Sequence, residues 1–266
     1  MALNAEQKAF FQEHGYLKYD QRVLTDQEIE TLRQRTEDIV YGRLDHVPPR
    51  YVQIEAKFRN NDDPSVDQLD KVRKMTHLCY FDDVFAQLAQ KPEIVDVIED
   101  LIGPNIKLYC DQLMMKPRFN GTVTDWHQDS TAWSFFAPQD HVSCWVALDD
   151  ATVENGCMTV IPGSHLWGPV NREYRDTFLA SPLIPDPKPV EVKAGYCMFH
   201  HGLNWHRTGA NSTPNRRRGL ALHYIHAETM YLGIPDEEAR LMTECELPPG
   251  EFRFKLIRGQ EFPGRV

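Results

Sequence analysis

Apolar residues recur at helical spacing over roughly the first forty positions and again over 82–101, and from Ile106 the period shortens to two. Gln7–Glu13 reads as a short amphipathic helix stopped by Gly15. Thr25 opens a longer helix, and Glu28 three residues on completes a capping box, with Ile29, Leu32, Ile39 and Val40 as its apolar face. Val47–Pro64 is rich in Pro, Asn and Asp and reads mostly as loop. Asp82–Gln90 and Pro92–Leu101 read as two further helices, the second begun by Pro92 and stopped by Gly103. Ile106–Lys116, Val142–Leu148, Cys157–Ile161, Val190–Phe199 and Gly219–Ile225 read as strands, being short, β-branched or aromatic, and bounded by turn residues. Helices followed by a run of strands predict a mainly β jelly roll buttressed by N-terminal helices. The expected plan is a single domain over 1–266: a helical buttress (1–105), a jelly-roll core (106–226) and a tail (227–266). Pro169–Pro189 carries five prolines and reads as an irregular insertion; the tail offers only a short helix at Asp236–Met242.

Bulk properties narrow the partners. Hydrophobic residues are 41% and aromatic residues 11% of the chain, enough for a real core. A net charge of -10 repels phosphate backbones, so no nucleic-acid partner is expected, and Arg216, Arg217 and Arg218 are too short a run to reverse that. The six cysteines form no Cys-x-x-Cys pair and read as small buried hydrophobes in a reducing compartment. No apolar run approaches the roughly 18 residues that span a bilayer. Met1–Phe11 is too polar for a signal peptide, and Gly264-Arg265-Val266 is no peroxisomal address. The expectation is a cytoplasmic protein with no membrane partner.

The candidate chemistry lies in the strand-rich half. In an extended strand residues two apart share a face, so the imidazole of His127 and the carboxylate of Asp129 can converge on one metal ion. Alone, such a tripeptide arises often by chance. A third ligand could come from His200, His201 or His206. Two histidines and a carboxylate leave open positions that suit iron(II) binding an organic acid and oxygen together. Gly209, Asn211, Ser212, Pro214 and Asn215 form a strong turn signal, and a hairpin there would bring Arg217 close to His206. An arginine so placed can grip a carboxylate through two parallel hydrogen bonds. Arg217, Gly219, Ala221 and His223 then share one face, with Arg218, Leu220, Leu222 and Tyr224 on the other. Ser143, Trp145 and Ala147 likewise oppose Val142, Cys144, Val146 and Leu148.

The chain resembles the phytanoyl-CoA dioxygenase family of iron(II)/2-oxoglutarate oxygenases. The matching pieces are Gly103–Ile106, Gln112–Pro117, Trp126–Asp129, Trp145–Asp150, Glu154–Cys157, Ile161–His165, and the set His206, Thr208, Asn211, Ser212 and Arg217. The resemblance implies a double-stranded β-helix. It implies iron(II) held by His127, Asp129 and His206, with 2-oxoglutarate and O2 as co-substrates. Arg217 matches the residue facing the far carboxylate of 2-oxoglutarate, Thr208 a small hydroxyl residue beside it, and Trp145, Gln112 and Lys74 further co-substrate contacts. His165 belongs to a family turn. The implied reaction oxidises an aliphatic carbon, with release of succinate and CO2. Related halogenases lack the carboxylate ligand, and its presence here favours hydroxylation or a related oxidation.

Two other classes remain open from the sequence. A metal-free jelly-roll binding protein needs neither the triad nor Arg217. A zinc hydrolase with the same ligands leaves Arg217 and Thr208 unexplained. No Lys/Arg cluster flanks the motifs, which favours a small-molecule substrate over an acyl-CoA. Gln128, Trp133 and the loop Val47–Asn61 are the candidates for substrate contact.

Overall fold

The computed structural model describes residues 2–60, 63–232 and 254–266. The helical opening follows its local signals. Helix α1 (Ala5–His14) is capped by Asn4 and stopped by Gly15 in the left-handed conformation. After strand β1 (Tyr16–Lys18), helix α2 (Asp26–Val40) starts on the Thr25–Glu28 capping box, a device that contributes about 1 kcal/mol. Val47–Pro64, expected to be mostly loop, contains strand β2 (Val52–Ile54); strand β3 (Val72–Thr76) follows, then helices α3 (Leu78–Phe81), α4 (Asp83–Leu88) and α5 (Pro92–Ile102). Helix α5 buries Ile94, Val95, Val97 and Ile98, each contributing roughly 1.5–3 kcal/mol.

The remaining elements are strands β4 (Ile106–Lys116) and β5 (Thr124–His127), helix α6 (Asp129–Ala132), and strands β6 (Phe136–Ala137), β7 (Val142–Ala147) and β8 (Met158–Val160). Helix α7 (Arg175–Leu179) lies within the proline-rich stretch, followed by β9 (Lys188–Val190), β10 (Cys197–His201), β11 (His206–Thr208), β12 (Arg217–His226), β13 (Met230–Tyr231) and β14 (Lys255–Arg258). One large sheet runs β1-β10-β7-β12-β4-β3-β2, with β14 also on β4; a smaller sheet runs β5-β11-β8-β9. All these pairings are antiparallel.

The two faces of the large sheet have different partners. Cys144, Val146, Leu220, Leu222 and Tyr224 pack with Ile29, Leu32, Phe85, Ile94 and Ile98 of the helical layer. Trp145, Ala147, Met198 and Ala221 pack with Met158, Val160 and Val190 of the small sheet. The alternation expected along β7 and β12 is therefore the observed one, and the face carrying Arg217 and Trp145 looks into the barrel.

Three expectations are corrected. Val190–Phe199 is not one strand: β9 ends in the small sheet, the chain turns at Gly195 (φ 85), and β10 begins in the large one. A continuous apolar run conceals this corner because both halves are buried. His206 and Arg217 do not form a hairpin; β11 pairs with β5 and β8, whereas Arg217 pairs with Lys116 of β4. The turn between them crosses from one sheet to the other. Asp129 does not continue the strand of His127 but opens helix α6. The helix expected at Asp236–Met242 lies outside the described residues.

Candidate metal centre

The register of the small sheet places His206 directly opposite His127, with ring centroids 4.1 Å apart. Asp129 reaches the same spot from the first turn of α6: Oδ1 is 3.5 Å from His127 Nε2 and 3.7 Å from His206 Nε2. The tautomers are fixed by the backbone. His127 Nδ1 lies 2.7 Å from the Asp125 carbonyl and His206 Nδ1 2.9 Å from the Asn204 carbonyl. A carbonyl only accepts, so each Nδ1 carries a proton and each Nε2 faces Asp129 as the nitrogen left for a metal. Burial alone would raise the Asp129 carboxyl, yet His206, His127 and His200 hold it well below the usual range. Burial pushes His206 well down, keeping it neutral. Asp129 instead raises the His127 imidazole against its own burial, and a metal would take the place of the proton between them. Two imidazole nitrogens and one carboxylate fit a divalent metal with open positions.

The competing histidines have other employment. His200 approaches the other oxygen of Asp129, with Nε2 3.2 Å from Oδ2. His201 Nδ1 accepts from the Leu203 amide in the next turn. Sequence reasoning missed a second group: Asp129, His141 and His223 also bring nitrogen and oxygen atoms together. His141 Nδ1 bonds to Ser130 and His223 Nδ1 to Ser143. Burial presses both imidazoles down to about 3, so they are neutral.

The co-substrate candidates line one face. Arg217 is buried, with its guanidinium 5.4 Å above the Trp145 ring. Among the described residues its guanidinium makes one long 3.5 Å contact, to the Met114 carbonyl, and Nε has no partner. Among the described residues no carboxylate pairs with it. Burial lowers its guanidinium to about 10. Gln112 stands in register with Ala221 and Thr76, and Lys74 with Met114, so both share the inner face of the sheet. Thr208 ends β11 opposite Met158. Gly219 leaves room for Trp145: a Cβ there would stand 1.9 Å from its Cζ2.

The proposed substrate contacts fare differently. Gln128 is buried, its amide donating to the Gly168 and Leu203 carbonyls while Oε1 accepts from Val170. It braces the proline-rich insertion and offers no free polar group, a correction to its expected role. Trp133 is buried edge-on against His223 at 4.7 Å and Tyr109 at 5.0 Å. In the 47–60 loop, Glu55 is buried and accepts hydrogen bonds from the Thr122 backbone and hydroxyl, so the loop clasps the arm that leads into β5. The fold also assembles a charged cleft invisible in the sequence, where Arg33, Arg118, Arg216 and Arg218 stand among Asp149, Asp150 and Glu154. Each of these arginines is paired with Asp70 or Asp149.

The family model for phytanoyl-CoA dioxygenase (PhyH) matches residues 11–219. The chain belongs to the phytanoyl-CoA dioxygenase family. A probable phytanoyl-CoA dioxygenase of Caenorhabditis elegans is 30% identical over 247 residues, covering 84% of this chain and 76% of that protein. The peroxisomal phytanoyl-CoA dioxygenase of Rattus norvegicus is 28% identical over 248 residues, covering 87% and 71%. The fold is similar to that of the epimerase SnoN from nogalamycin biosynthesis, solved with Fe3+, alpha-ketoglutarate and nogalamycin RO (TM-score 0.73, 22% identity, 95% and 98% covered). EctD from S. alaskensis, solved with 2-oxoglutarate and 5-hydroxyectoine, is also similar (TM-score 0.72, 22% identity, 88% and 80% covered). As a member of the phytanoyl-CoA dioxygenase family, the chain is an iron- and 2-oxoglutarate-dependent oxygenase on a jelly-roll fold. No helix among the described residues is long and apolar enough to cross a membrane.

Proposed function

We propose that this oxygenase oxidises an aliphatic carbon of a small-molecule metabolite, with His127, Asp129 and His206 as the iron ligands and Arg217 as the anchor for 2-oxoglutarate. The observation that carries this reading is the buried Arg217 guanidinium, which has an unpartnered Nε and shares the inner face with Trp145. A buried cation needs an anion, and a bidentate fork suits a carboxylate. A metal-free binder does not need it, and a zinc hydrolase leaves it unexplained. With iron(II) bound, the centre supplies oxidation of a C–H bond by O2, coupled to conversion of 2-oxoglutarate to succinate and CO2.

The protein's part is placement. The Asp125 and Asn204 carbonyls hold His127 and His206 in the metal-binding tautomer. His200 holds the other oxygen of Asp129. Thr208 adds a hydroxyl beside the co-substrate, Gln112 and Lys74 line the inner face, and the indole of Trp145 walls it. Trp133 and the neutral imidazoles of His141 and His223 border the metal on the Asp129 side. A small substrate, rather than an acyl-CoA, is supported by the net charge of -10 and by the pairing of the cleft arginines. Cys79, Cys144, Cys157 and Cys197 are buried free thiols, which supports a reducing, cytoplasmic setting. We read the chain as one domain.

A screen of candidate metabolites for substrate-stimulated succinate formation under iron(II) and ascorbate tests the reading. Turnover that requires zinc and ignores 2-oxoglutarate would overturn it.

A further inference from the structure

We propose that Lys116 is a second cation for the distal carboxylate of 2-oxoglutarate, acting across the strand pair from Arg217. This rests on the co-substrate reading of Arg217 above. Lys116 ends β4 directly opposite Arg217, so the two side chains leave the sheet on the same inner face. It is buried. Two glycines make its path: a Cβ on Gly121 would stand 2.8 Å from Lys116 Cβ, and one on Gly156 2.9 Å from its Cδ. The lysine stem is thus laid along the Gly156 loop, toward Gly209 at the end of the segment that carries Thr208; a Gly156 Cβ would stand 2.4 Å from the Gly209 carbonyl oxygen. Nζ donates to the Thr122 carbonyl, which leaves two of its three ammonium donors for a ligand.

The charges acting on it are mostly positive. Arg217 and Arg73 face Lys116 with like charge, and Glu55, already bonded to Thr122, is the carboxylate that opposes them. Asp149 and Cys157 bear on Arg217. Burial, then Arg217, push the ammonium down to about 7. A dianionic ligand supplies the missing negative charge and returns the proton. The consequence is an affinity for 2-oxoglutarate that depends on pH: strong while Lys116 is protonated, weaker above neutrality. The ligand itself stays dianionic throughout that range.

The test is calorimetric titration of 2-oxoglutarate into the anaerobic iron(II) enzyme at pH 6.5 and 8.5, with succinate formation measured alongside. The wild type should bind about tenfold more weakly at pH 8.5, the change expected as one ammonium is lost. Lys116→Met should bind weakly at both pH values with little difference between them. Lys116→Arg, charged throughout, should lose the pH dependence while keeping tight binding, and serves if the methionine variant does not fold. Equal pH dependence in the wild type and Lys116→Arg, or wild-type affinity in Lys116→Met at pH 6.5, would overturn the role of Lys116 alone. A wild type that neither binds 2-oxoglutarate nor forms succinate would overturn the functional reading and this inference with it.

Discussion

His200 Nε2 stands 3.2 Å from Asp129 Oδ2, the carboxylate oxygen other than the one that faces His127 and His206. The proton on that nitrogen can be donated only to the carboxylate, so His200 orients Asp129 without competing for the metal. Partners of this kind typically change metal affinity 10–100-fold. His200→Ala should therefore weaken iron(II) binding by roughly that factor, measured by anaerobic competition with a chelator. His201→Ala should leave it within about twofold, since its Nδ1 bonds only the Leu203 amide. The reverse ranking would mean that the third ligand is misassigned.

Arg217 is distinguished from its neighbours by the direction of its side chain. Arg216 pairs with Asp70 and Arg218 with Asp149, both outside the barrel's inner face. Arg217→Ala should raise the KM for 2-oxoglutarate by about 100-fold, equivalent to the roughly 2–3 kcal/mol of a charge-assisted pair. Arg217→Lys should fall between, because an ammonium cannot reproduce the planar fork. Arg216→Ala and Arg218→Ala should change stability but not that KM. If either neighbour carries the co-substrate effect, the face assignment of β12 has slipped by one residue.

Gly219 tests the packing beneath the co-substrate. A methyl group there would overlap the Trp145 indole, since the added Cβ falls 1.9 Å from Cζ2. Gly219→Ala should cost about 1–3 kcal/mol of stability by overpacking. It should also weaken 2-oxoglutarate binding, because Trp145 must swing toward Arg217 or away from it. Chemical denaturation and calorimetry read the two effects separately; unchanged affinity with an intact fold would remove Trp145 from the pocket.

Asp70 joins segments far apart in sequence, accepting from both Arg118 and Arg216. Burial opposes the charged carboxylate, but these two guanidinium groups hold its pKa below the ordinary value. A depressed carboxylate stabilises the fold above its unfolded pKa, near 4, and loses that contribution as pH falls through the folded value. Asp70→Asn should cost about 2–4 kcal/mol at pH 7, discounting for the exposed side of Arg118. The gap from wild type should close as pH falls below about 4 in urea unfolding. A gap that persists unchanged at low pH would assign the loss to packing instead.

Much of this architecture was legible because local and global signals agree. The Thr25–Glu28 box, Pro92 and Gly103 mark helix ends by chemistry that acts within a few residues. Strict alternation placed Arg217, Trp145 and Ala221 on one face, since a half-buried strand allows only two. The corners were not legible. Val190–Phe199 is apolar throughout, although the chain changes sheets at Gly195, because both sheets bury their residues. The His206–Arg217 turn carries hairpin chemistry, yet its ends pair with different strands, and turn residues say nothing of the partner. Gln128 lies between two candidate ligands, but the backbone groups that occupy its amide come from 168–170 and 203. Lys116 shares the period of Gln112 and Met114 on β4, so alternation alone would have pointed it inward.

The most direct test of the account is anaerobic iron(II) titration of the wild type and of His127→Ala, Asp129→Ala and His206→Ala, followed by oxygenation with 2-oxoglutarate and quantitation of succinate. The wild type should bind one iron per chain at this site and form succinate only with both iron and 2-oxoglutarate present. Each variant should stay folded by circular dichroism yet lose both iron binding and succinate formation. Full iron binding and wild-type succinate yield in His206→Ala would contradict the three-ligand centre on which the proposed chemistry stands.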